Sequence, residues 1–295
     1  DLYNPYNSNL RTSNPKNNMP AFVSVKDPKS GKTILGAEDG VNQSYCDLLF
    51  YVDATPGSSI DDPERPSIPD EGDKEEPKPD EDENVTGTLA FEDIWPSGGD
   101  YDMNDVIVEY ERKVYFDKKN IVTKIVDEFT PVHDGATYVN AFAYQIDAAQ
   151  IGDKITLPEG AILEKETSSI IVMSNAKQNI GNKYVVTREF NGSFLKNQLL
   201  SYNPYIIVKY SQGEQNRTEV HLPKHKATAY ANQSLIGSND DAYYIDRKGA
   251  YPFAIDIPML GFTPVTERNR IDSQYPGFTT WAKSMGNDCK DWYKK

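Results

Sequence analysis

The sequence contains little cysteine and little histidine, which excludes several kinds of site. Its 295 residues include 2 Cys and 3 His, too few for a disulfide scaffold or for a zinc site built from these ligands. His221 and His225 have the i, i+4 spacing of two ligands on a helix, but Pro223 between them disfavours a helix. The G-x-S-x-G, H-E-x-x-H, G-x-x-x-x-G-K-[ST] and G-x-G-x-x-G motifs are also missing. We therefore predict a protein that is not an enzyme.

Long apolar runs and clusters of basic residues are absent as well. No stretch approaches the ~18 apolar residues of a membrane-spanning helix, so we expect no transmembrane segment in this chain. The formal net charge is −14 and no Lys/Arg cluster offers a surface for phosphate groups, which argues against nucleic acid as a partner. The sequence begins at Asp1 without an initiator Met or a signal segment. We expect a processed or trimmed chain, and this start is compatible with a lipid anchor upstream.

An acidic, proline-rich stretch divides the sequence. Residues 61–84 contain 12 Asp or Glu, 3 Lys or Arg and 5 Pro. Such a segment cannot bury enough apolar surface to offset the entropy that is lost on ordering. The sequence therefore predicts a β-rich N-terminal segment over residues 1–57, a disordered or extended acidic linker over residues 58–84, and a main domain over residues 85–295.

Short runs of β-branched and aromatic residues recur on both sides of this linker. Upstream, residues 21–26 and 32–35 flank a loop with Pro and Gly that is typical of a hairpin, and residues 48–52 predict a third strand. Downstream, the strand-like runs are 106–108, 114–116, 121–126, 138–144, 169–173, 183–186, 205–210 and 251–257. Helical signals are scarce, and residues 278–285 predict about two turns. The pattern predicts a mostly β protein, an antiparallel β-sandwich of jelly-roll type.

Six side chains with ligand oxygens crowd into a 14-residue segment of the main domain. They are Glu92, Asp93, Asp100, Asp102, Asn104 and Asp105. No Lys or Arg lies among them, and ionised carboxylates that pack together without a cation cost several kcal/mol in repulsion and lost hydration. Calcium fits this set best, because it accepts roughly six to eight oxygens in loose geometry whereas magnesium requires a strict octahedron. We therefore predict a calcium site formed by these residues.

The spacing of the six residues limits how they can share one ion. Along a straight strand Asp100 and Asp102 would lie roughly 6.6 Å apart, so the chain must curl to bring both to one ion. Pro96 and the Gly98-Gly99 pair are expected to supply that curl, because glycine frees φ just before the first aspartate. We expect one of the two acidic residues at positions 92–93 to complete the ligand set from the neighbouring strand end.

Two alternative interpretations use the same residues. An EF-hand shares part of the spacing, but its sixth position requires Gly and is here Asp105, and Val106–Glu111 is strand-like rather than helical. The other alternative is structural, because Asp and Asn in loops commonly accept hydrogen bonds from backbone N–H groups. Asp105 is the residue that we expect to serve the fold rather than the ion.

The sequence contains an internal repeat. Residues 34–52 echo residues 88–108, with a shorter loop between the two strand-like runs. When both copies are aligned on the last acidic residue of the loop, Ser44 and Cys46 replace two of the predicted ligands of the second copy. We expect the first copy to bind an ion weakly or not at all, and the β framework to be common to both.

The run G-T-L-A-F-E-D-I-W-P-S-G-G-D-Y-D-M-N-D-V-I-V-E-Y, residues 87–110, resembles the opening of the LruC domain of secreted or surface lipoproteins of Bacteroides-type bacteria. Residues 252–258, 275–278 and 290–293 also resemble that family, and residues 1–57 resemble the tail of a second domain of unknown function often placed before it. The resemblance implies a β-rich, extracytoplasmic protein that binds calcium and takes part in adhesion. It implies no known enzymatic activity.

Three functions are compatible with these features. The favoured one is a calcium-binding, secreted or cell-surface module with an adhesive or structural role, whose partner is an extracellular protein or glycan. The second is a glycan-binding module that stacks sugars on Trp95, Trp281 or Trp292, although core packing explains these residues better. The third is a glycoside hydrolase, which needs one protonated carboxyl group that a bound calcium ion would keep ionised.

Overall fold

The structure is a computed structural model, and the chain divides into two compact units. The units are residues 1–77 and residues 78–295. The structure describes residues 22–26, 32–37, 48–52, 80–192 and 194–294. Residues 58–79 of the predicted linker, and Ser44 and Cys46 of the first repeat, lie outside the described residues.

The first unit contains a three-stranded antiparallel sheet in the order β1-β2-β3. The strands are β1 (Phe22–Lys26), β2 (Thr33–Ala37) and β3 (Leu48–Val52). Strands β1 and β2 pair antiparallel along their whole length, which confirms the predicted hairpin, and β3 pairs antiparallel with β2. The three predicted strands upstream of the linker are thus present.

The described part of the second unit contains eleven strands and two short α-helices. The strands are β4 (Asp80–Phe91), β5 (Val106–Phe116), β6 (Val122–His133), β7 (Ala141–Gln145), β8 (Lys154–Thr156), β9 (Ile162–Glu164), β10 (Ser169–Met173), β11 (Tyr184–Glu189), β12 (Asn203–Val208), β13 (Thr218–His221) and β14 (Ala254–Ile257). The helices are α1 (Ile271–Gln274) and α2 (Phe278–Lys283), and α2 confirms the predicted helix. Among the described residues, no helix is long and apolar enough to cross a membrane.

The strands of the second unit form two antiparallel sheets. One has six strands in the order β14-β4-β5-β6-β11-β8, and the other has five in the order β13-β12-β7-β10-β9. Phe91 of β4 and Phe129 of β6 both contact Phe142 of β7, with ring centroids 6.3 and 5.1 Å apart. Side chains of the two sheets therefore interdigitate in one apolar core, and the predicted β-sandwich is confirmed.

Several strand boundaries differ from the sequence prediction. Strand β4 begins at Asp80, so residues 80–84 belong to a strand and not to the predicted linker. These residues pair with the far end of β5, whose edge supplies backbone hydrogen bonds that a charged sequence does not reveal. Strand β5 also joins the separate runs 106–108 and 114–116 into one strand. Strands β8, β9 and β13 are missed because three or four residues carry too little periodicity.

The internal repeat is visible in the pairing of the strands. Phe91 of β4 pairs with Val106 of β5, and the aligned residues Ala37 and Leu48 pair in β2 and β3. The next four residue pairs of the two ladders correspond as well. The two copies therefore share one strand register, and they differ in the length of the loop between the strands.

The aromatic contact between the sheets predicts a large effect of one substitution. Phe142→Ala should lower the free energy of unfolding by about 3–5 kcal/mol, because it leaves a cavity between two sheets that cannot collapse. Urea denaturation measures this difference. Ile180→Ala is the control, because Ile180 is 47% exposed and its truncation should cost less than about 1 kcal/mol. Equal losses in the two variants would contradict the assigned core.

Candidate metal centre

The acidic loop, residues 92–105, joins β4 to β5. Phe91 and Val106 are directly paired, so the loop must leave and return within one inter-strand distance of about 4.8 Å. Its acidic residues are therefore confined to one end of the strand pair. This closure, rather than any single residue, places the carboxylates near one another.

Three carboxylates of the acidic loop converge. Glu92, Asp100 and Asp102 each offer one oxygen atom, and these three atoms lie within 4.8 Å of one another. Glu92 and Asp102 are buried, with 0% and 1% of their surface exposed, and Asp100 is partly buried. Two oxygens that bind the same Ca²⁺ at ~2.4 Å can lie no more than about 4.8 Å apart. The spacing of the three oxygens therefore fits a shared calcium ion.

The curl of the loop comes from Tyr101 and Met103. Both residues have a φ of 54°, in the left-handed region, so the chain does not continue as a strand between the aspartates. The prediction that the Gly98-Gly99 pair supplies the curl is wrong, because neither glycine has a positive φ. Gly99 is required for space instead, since a Cβ atom there would lie 2.6 Å from Glu92 Oε2.

Backbone amides hold two of the three carboxylates in position. Met103 N donates a hydrogen bond to Glu92 Oε1 at 2.6 Å, and Tyr101 N donates to Oε2 at 3.3 Å. Arg268 N donates to Asp102 Oδ2 at 2.9 Å. A carboxylate oxygen has two acceptor sites, so each of these oxygens can accept one hydrogen bond and still bind a cation.

Asp93 and Asp105 form a separate contact. Asp93 N donates to Asp105 Oδ2 at 2.7 Å, and Asn140 Nδ2 donates to Asp93 Oδ2 at 2.8 Å. Of the two residues expected to complete the ligand set, Glu92 joins the other two carboxylates and Asp93 does not. Asp105 connects the two ends of the acidic loop, the structural role that we expected for it.

Asn104 is buried, and only one half of its amide group is paired. Its Nδ2 donates to Val265 O at 2.9 Å, whereas its Oδ1 has no hydrogen-bond partner among the described residues. Gly135 packs directly against this oxygen, since a Cβ atom there would lie 2.8 Å away. A buried oxygen without a donor costs free energy, so this atom is available to a cation.

Burial and mutual repulsion raise the pKa of four carboxyl groups in the acidic loop, those of Glu92, Asp93, Asp102 and Asp105. Burial, with the charges of Asp105 and Asp102, raises the pKa of Glu92 well above its usual range, although the Met103 amide opposes this. Burial and the Asp93 charge raise the pKa of Asp105 to about 8. Burial raises the pKa of Asp102 to about 6. Near neutral pH, ionising these groups together therefore requires a compensating positive charge.

Among the described residues, Lys209 acts on this charge without forming an ion pair, since its charge opposes the rise in the pKa of Asp93. None of the five carboxylates of the acidic loop forms an ion pair with a Lys, Arg or His side chain in the described part of the chain. Asp100 also accepts no hydrogen bond from a described residue. The arrangement can therefore hold one divalent cation, with Asp100 as the ligand that has the fewest competing contacts.

Residues of two other segments enclose the centre, and the sequence analysis did not select them. Asn140 and Gly135 lie in the β6–β7 connection, and Arg268 lies in the segment after β14. Asp134 of the same connection is buried 3.9 Å from the Lys177 ammonium, and burial raises its pKa to about 6. No spacing pattern in the sequence links these positions to the acidic loop, because only the closed sandwich brings them together.

The other candidate residues of the sequence have structural surroundings. Trp95 and Trp292 are 4% and 7% exposed, and Trp281 packs half-buried against the same core. Core packing, which we favoured over sugar stacking from the sequence, therefore accounts for the three tryptophans. His221 is buried in β13 and both of its ring nitrogens are hydrogen-bonded to protein side chains, so it does not form a metal pair with a second histidine.

Comparison with known proteins places the chain in a family. Residues 120–293, more than half of the chain, match the domain of unknown function DUF4842. The chain belongs to the DUF4842 family. No curated protein matches this DUF4842 chain. The crystal structure of a predicted lipoprotein from Bacteroides ovatus is similar to it, with a TM-score of 0.55 and 18% identity over 88% of this chain and 77% of that chain. At this identity, the likeness shows a common fold.

The family match and the candidate metal centre overlap only in part. The DUF4842 match begins at residue 120, so it includes the β6–β7 connection and the segment after β14 but not the acidic loop. The resemblance to the LruC domain rests mainly on residues 87–110 and stays a prediction, since the matching family carries a different name.

The raised pKa of Asp105 predicts a pH-dependent effect of Asp105→Asn in the metal-free protein. Folded Asp105 keeps its proton up to about pH 8, whereas in the unfolded chain it ionises near its ordinary pKa of ~3.9. Stability from this raised pKa is fully present below about pH 3.9 and is lost progressively as the pH rises to about 8. Asn does not ionise, so at pH 9 in EDTA the variant should melt at least about 2–4 °C higher, which corresponds to about 1 kcal/mol.

Thermal melts at pH 5 and pH 9 separate this effect from a general one. At pH 5 the difference should be much smaller than at pH 9, because folded Asp105 is still protonated and only the pH interval from ~3.9 to 5 has contributed to the loss. Asp288→Asn is the matched control, since Asp288 is exposed and should show no difference at either pH. A lower melting temperature of Asp105→Asn at pH 9 would show that repulsion within the acidic loop is not the dominant interaction.

Proposed function

We propose that this chain is a calcium-stabilised, extracytoplasmic β-sandwich module with an adhesive or structural role. The observation that carries the proposal is the convergence of three carboxylate oxygens within 4.8 Å of one another, without an ion pair to a basic side chain of the described residues. Two of the three carboxylates are buried, so water alone does not disperse their charge. A divalent cation offsets two of the three negative charges.

Calcium fits the donor atoms better than other divalent ions. The ligand candidates Glu92, Asp100, Asp102 and Asn104 offer oxygen atoms, which hard cations prefer over the nitrogen and sulfur atoms of zinc sites. They lie on an irregular loop with two left-handed residues, and calcium tolerates irregular geometry while magnesium does not. Water can supply the remaining ligands on the exposed side of Asp100.

The ion would connect three segments at one end of the sandwich. The acidic loop is bonded to the β6–β7 connection through Asn140 and to the segment after β14 through Arg268. Exposed apolar residues stand beside these contacts: Ile94 follows Asp93 in the acidic loop, and Val139 precedes Asn140. Exposed apolar groups on a rigid surface are typical of a protein contact. The ion thus supports a preformed contact surface.

The comparisons and the chemistry of calcium support a location outside the cytoplasm. The similar Bacteroides ovatus structure is a predicted lipoprotein, and the LruC resemblance also points to lipoproteins. Extracellular calcium-binding modules function with Kd values of roughly 10⁻⁴–10⁻³ M. We place the module outside the cytoplasm, secreted or held at the outer-membrane surface by a lipid anchor, with an extracellular protein or glycan as its partner.

Calcium is expected to bind and to stabilise the fold. At a free calcium concentration of 100 times the Kd, one site adds about 2.7 kcal/mol, which should raise the melting temperature by several °C relative to the protein in EDTA. Isothermal titration calorimetry measures the Kd and the stoichiometry, expected to be one ion per chain. Magnesium at the same concentration should have a much smaller effect.

Asp100→Asn tests the ligand assignment with little risk to the fold. Asp100 accepts no hydrogen bond from a described residue, so its replacement should leave the EDTA melting temperature nearly unchanged and weaken calcium binding at least tenfold. Asp288→Asn should bind calcium as the unaltered protein does. If calcium produces no heat and EDTA does not change the melting temperature, the calcium proposal fails and only the fold assignment stands.

A further inference from the structure

A second site lies away from the metal centre. A cavity of about 320 Å³ opens between the two sheets, with Leu89 and Phe129 of the six-stranded sheet on one side and Tyr144 of the five-stranded sheet on the other. Arg112 and its strand partner Val85 also line it. Its two lining residues on β4, Val85 and Leu89, lie seven and three residues before Glu92, which along the strand corresponds to roughly 23 and 10 Å. The cavity lining contains no residue of the acidic loop.

The guanidinium group of Arg112 is held in a fixed orientation at this cavity. It lies over the ring of Tyr202, with 3.0 Å between the guanidinium carbon and the ring centroid. Its Nε atom is 3.3 Å from Asp127 Oδ1. Asp127 is itself fixed, because the Tyr202 hydroxyl donates to both of its oxygens at 2.8 and 2.7 Å and buried Arg188 pairs with it at 3.4 Å. The orientation of Arg112 is thus determined before any ligand binds.

The terminal nitrogens of Arg112 are available to a ligand. No hydrogen bond joins them to a described residue, and among the nitrogens of this side chain only Nε, which forms the ion pair with Asp127, is buried without a hydrogen bond. The side chain keeps 19% of its surface exposed, so the two terminal nitrogens are in contact with solvent. A fixed guanidinium with two free terminal N–H groups matches the two oxygens of a carboxylate.

The lining of the cavity also includes carboxylate acceptors. Asp256 of β14 is exposed, and the Tyr110 hydroxyl donates to its Oδ1 at 3.0 Å. Glu111 also lines the cavity, but its Oε1 is engaged by Asn84, which donates at 2.8 Å, and by the Lys113 ammonium at 3.1 Å. These carboxylates repel any anion placed beside them, but they accept hydrogen bonds from hydroxyl groups. A ligand therefore has to keep its negative charge at the Arg112 end and place hydroxyl groups at Asp256. The cavity thus combines one site for a carboxylate with acceptors for hydroxyls.

The size of the cavity restricts the ligand to one ring. Small-molecule sites typically measure ~300–1,000 Å³, so a cavity of about 320 Å³ admits a group of one ring and not an extended molecule. Its walls include the apolar side chains Leu89 and Leu222, which can pack against the carbon atoms of such a ring. A sugar ring that carries one carboxylate and several hydroxyls has this combination of groups.

We propose that this cavity binds one acidic sugar residue, a uronic acid, whose carboxylate pairs with Arg112 and whose hydroxyl groups donate to Asp256. The site goes beyond the proposed calcium centre and does not use it. It also gives a glycan-binding role a different location from the tryptophans, two of which are buried in the core.

Binding to the full chain is tested with defined sugars in EDTA, so that the calcium centre takes no part. Galacturonic, glucuronic and mannuronic acids and their oligosaccharides are titrated by calorimetry and by saturation-transfer NMR, beside glucose, galactose and inorganic phosphate. At least one uronic acid should bind at least tenfold more tightly than the neutral sugars and phosphate. Equal binding of neutral sugars, tighter binding of phosphate, or no binding of any uronic acid at 10 mM would each overturn the proposal.

Two variants of Arg112 test the role of its planar fork. Arg112→Lys keeps the positive charge but loses the paired N–H groups, and Arg112→Ala loses both. Both should weaken uronic acid binding at least tenfold, with thermal melts to verify that each variant is folded. Lys154→Ala is the matched control, because Lys154 is an exposed cation paired with Glu189 and should leave binding unchanged. Unchanged binding in a folded Arg112→Lys would show that the carboxylate contact is not made there.

Discussion

The direct pairing of Phe91 with Val106 is the constraint on which the candidate metal centre depends. Once these residues are neighbours in the sheet, the fourteen residues between them must form a closed loop, and the acidic side chains of that loop have no extended arrangement available. The sheet pairing is stabilised by the apolar core, to which both residues contribute. Core packing therefore supplies the free energy that keeps the carboxylates of the loop close together although they repel one another.

The sequence predicts the features that depend on local pattern. Strand-like runs, the two-turn helix at 278–283 and the crowding of acids in one loop are local, so they are readable without tertiary information. The extension of β4 back to Asp80 depends on a partner edge, and the approach of Asn140 to Asp93 depends on closure of the sandwich. The left-handed φ of Tyr101 could not be predicted from the sequence either. Glycine adopts this conformation more readily than tyrosine, so the nearby glycines were the expected positions for it.

The strand repeat separates the framework from the candidate site. Five successive residue pairs of β2 and β3 correspond to five pairs of β4 and β5, so the pairing register does not depend on the acids. In the first copy two of the aligned ligand positions hold Ser44 and Cys46. A register that persists without these ligands indicates that strand pairing is sufficient for the framework. Any ion then acts on the loop, not on the choice of strand partners.

The buried carboxylates of this domain have two kinds of surroundings. Some are paired with basic side chains, and those of the acidic loop are not paired with any basic side chain of the described residues. Burial alone would raise the pKa of Glu219, but the His221 hydrogen bond and the Arg217 charge hold it below its usual range. Asp127 is likewise paired with buried Arg188. In the acidic loop burial acts without such a partner, and the pKa of Asp105 rises to about 8. Above that pH a proton no longer neutralises Asp105, and the cation that we propose for this loop would offset part of the charge.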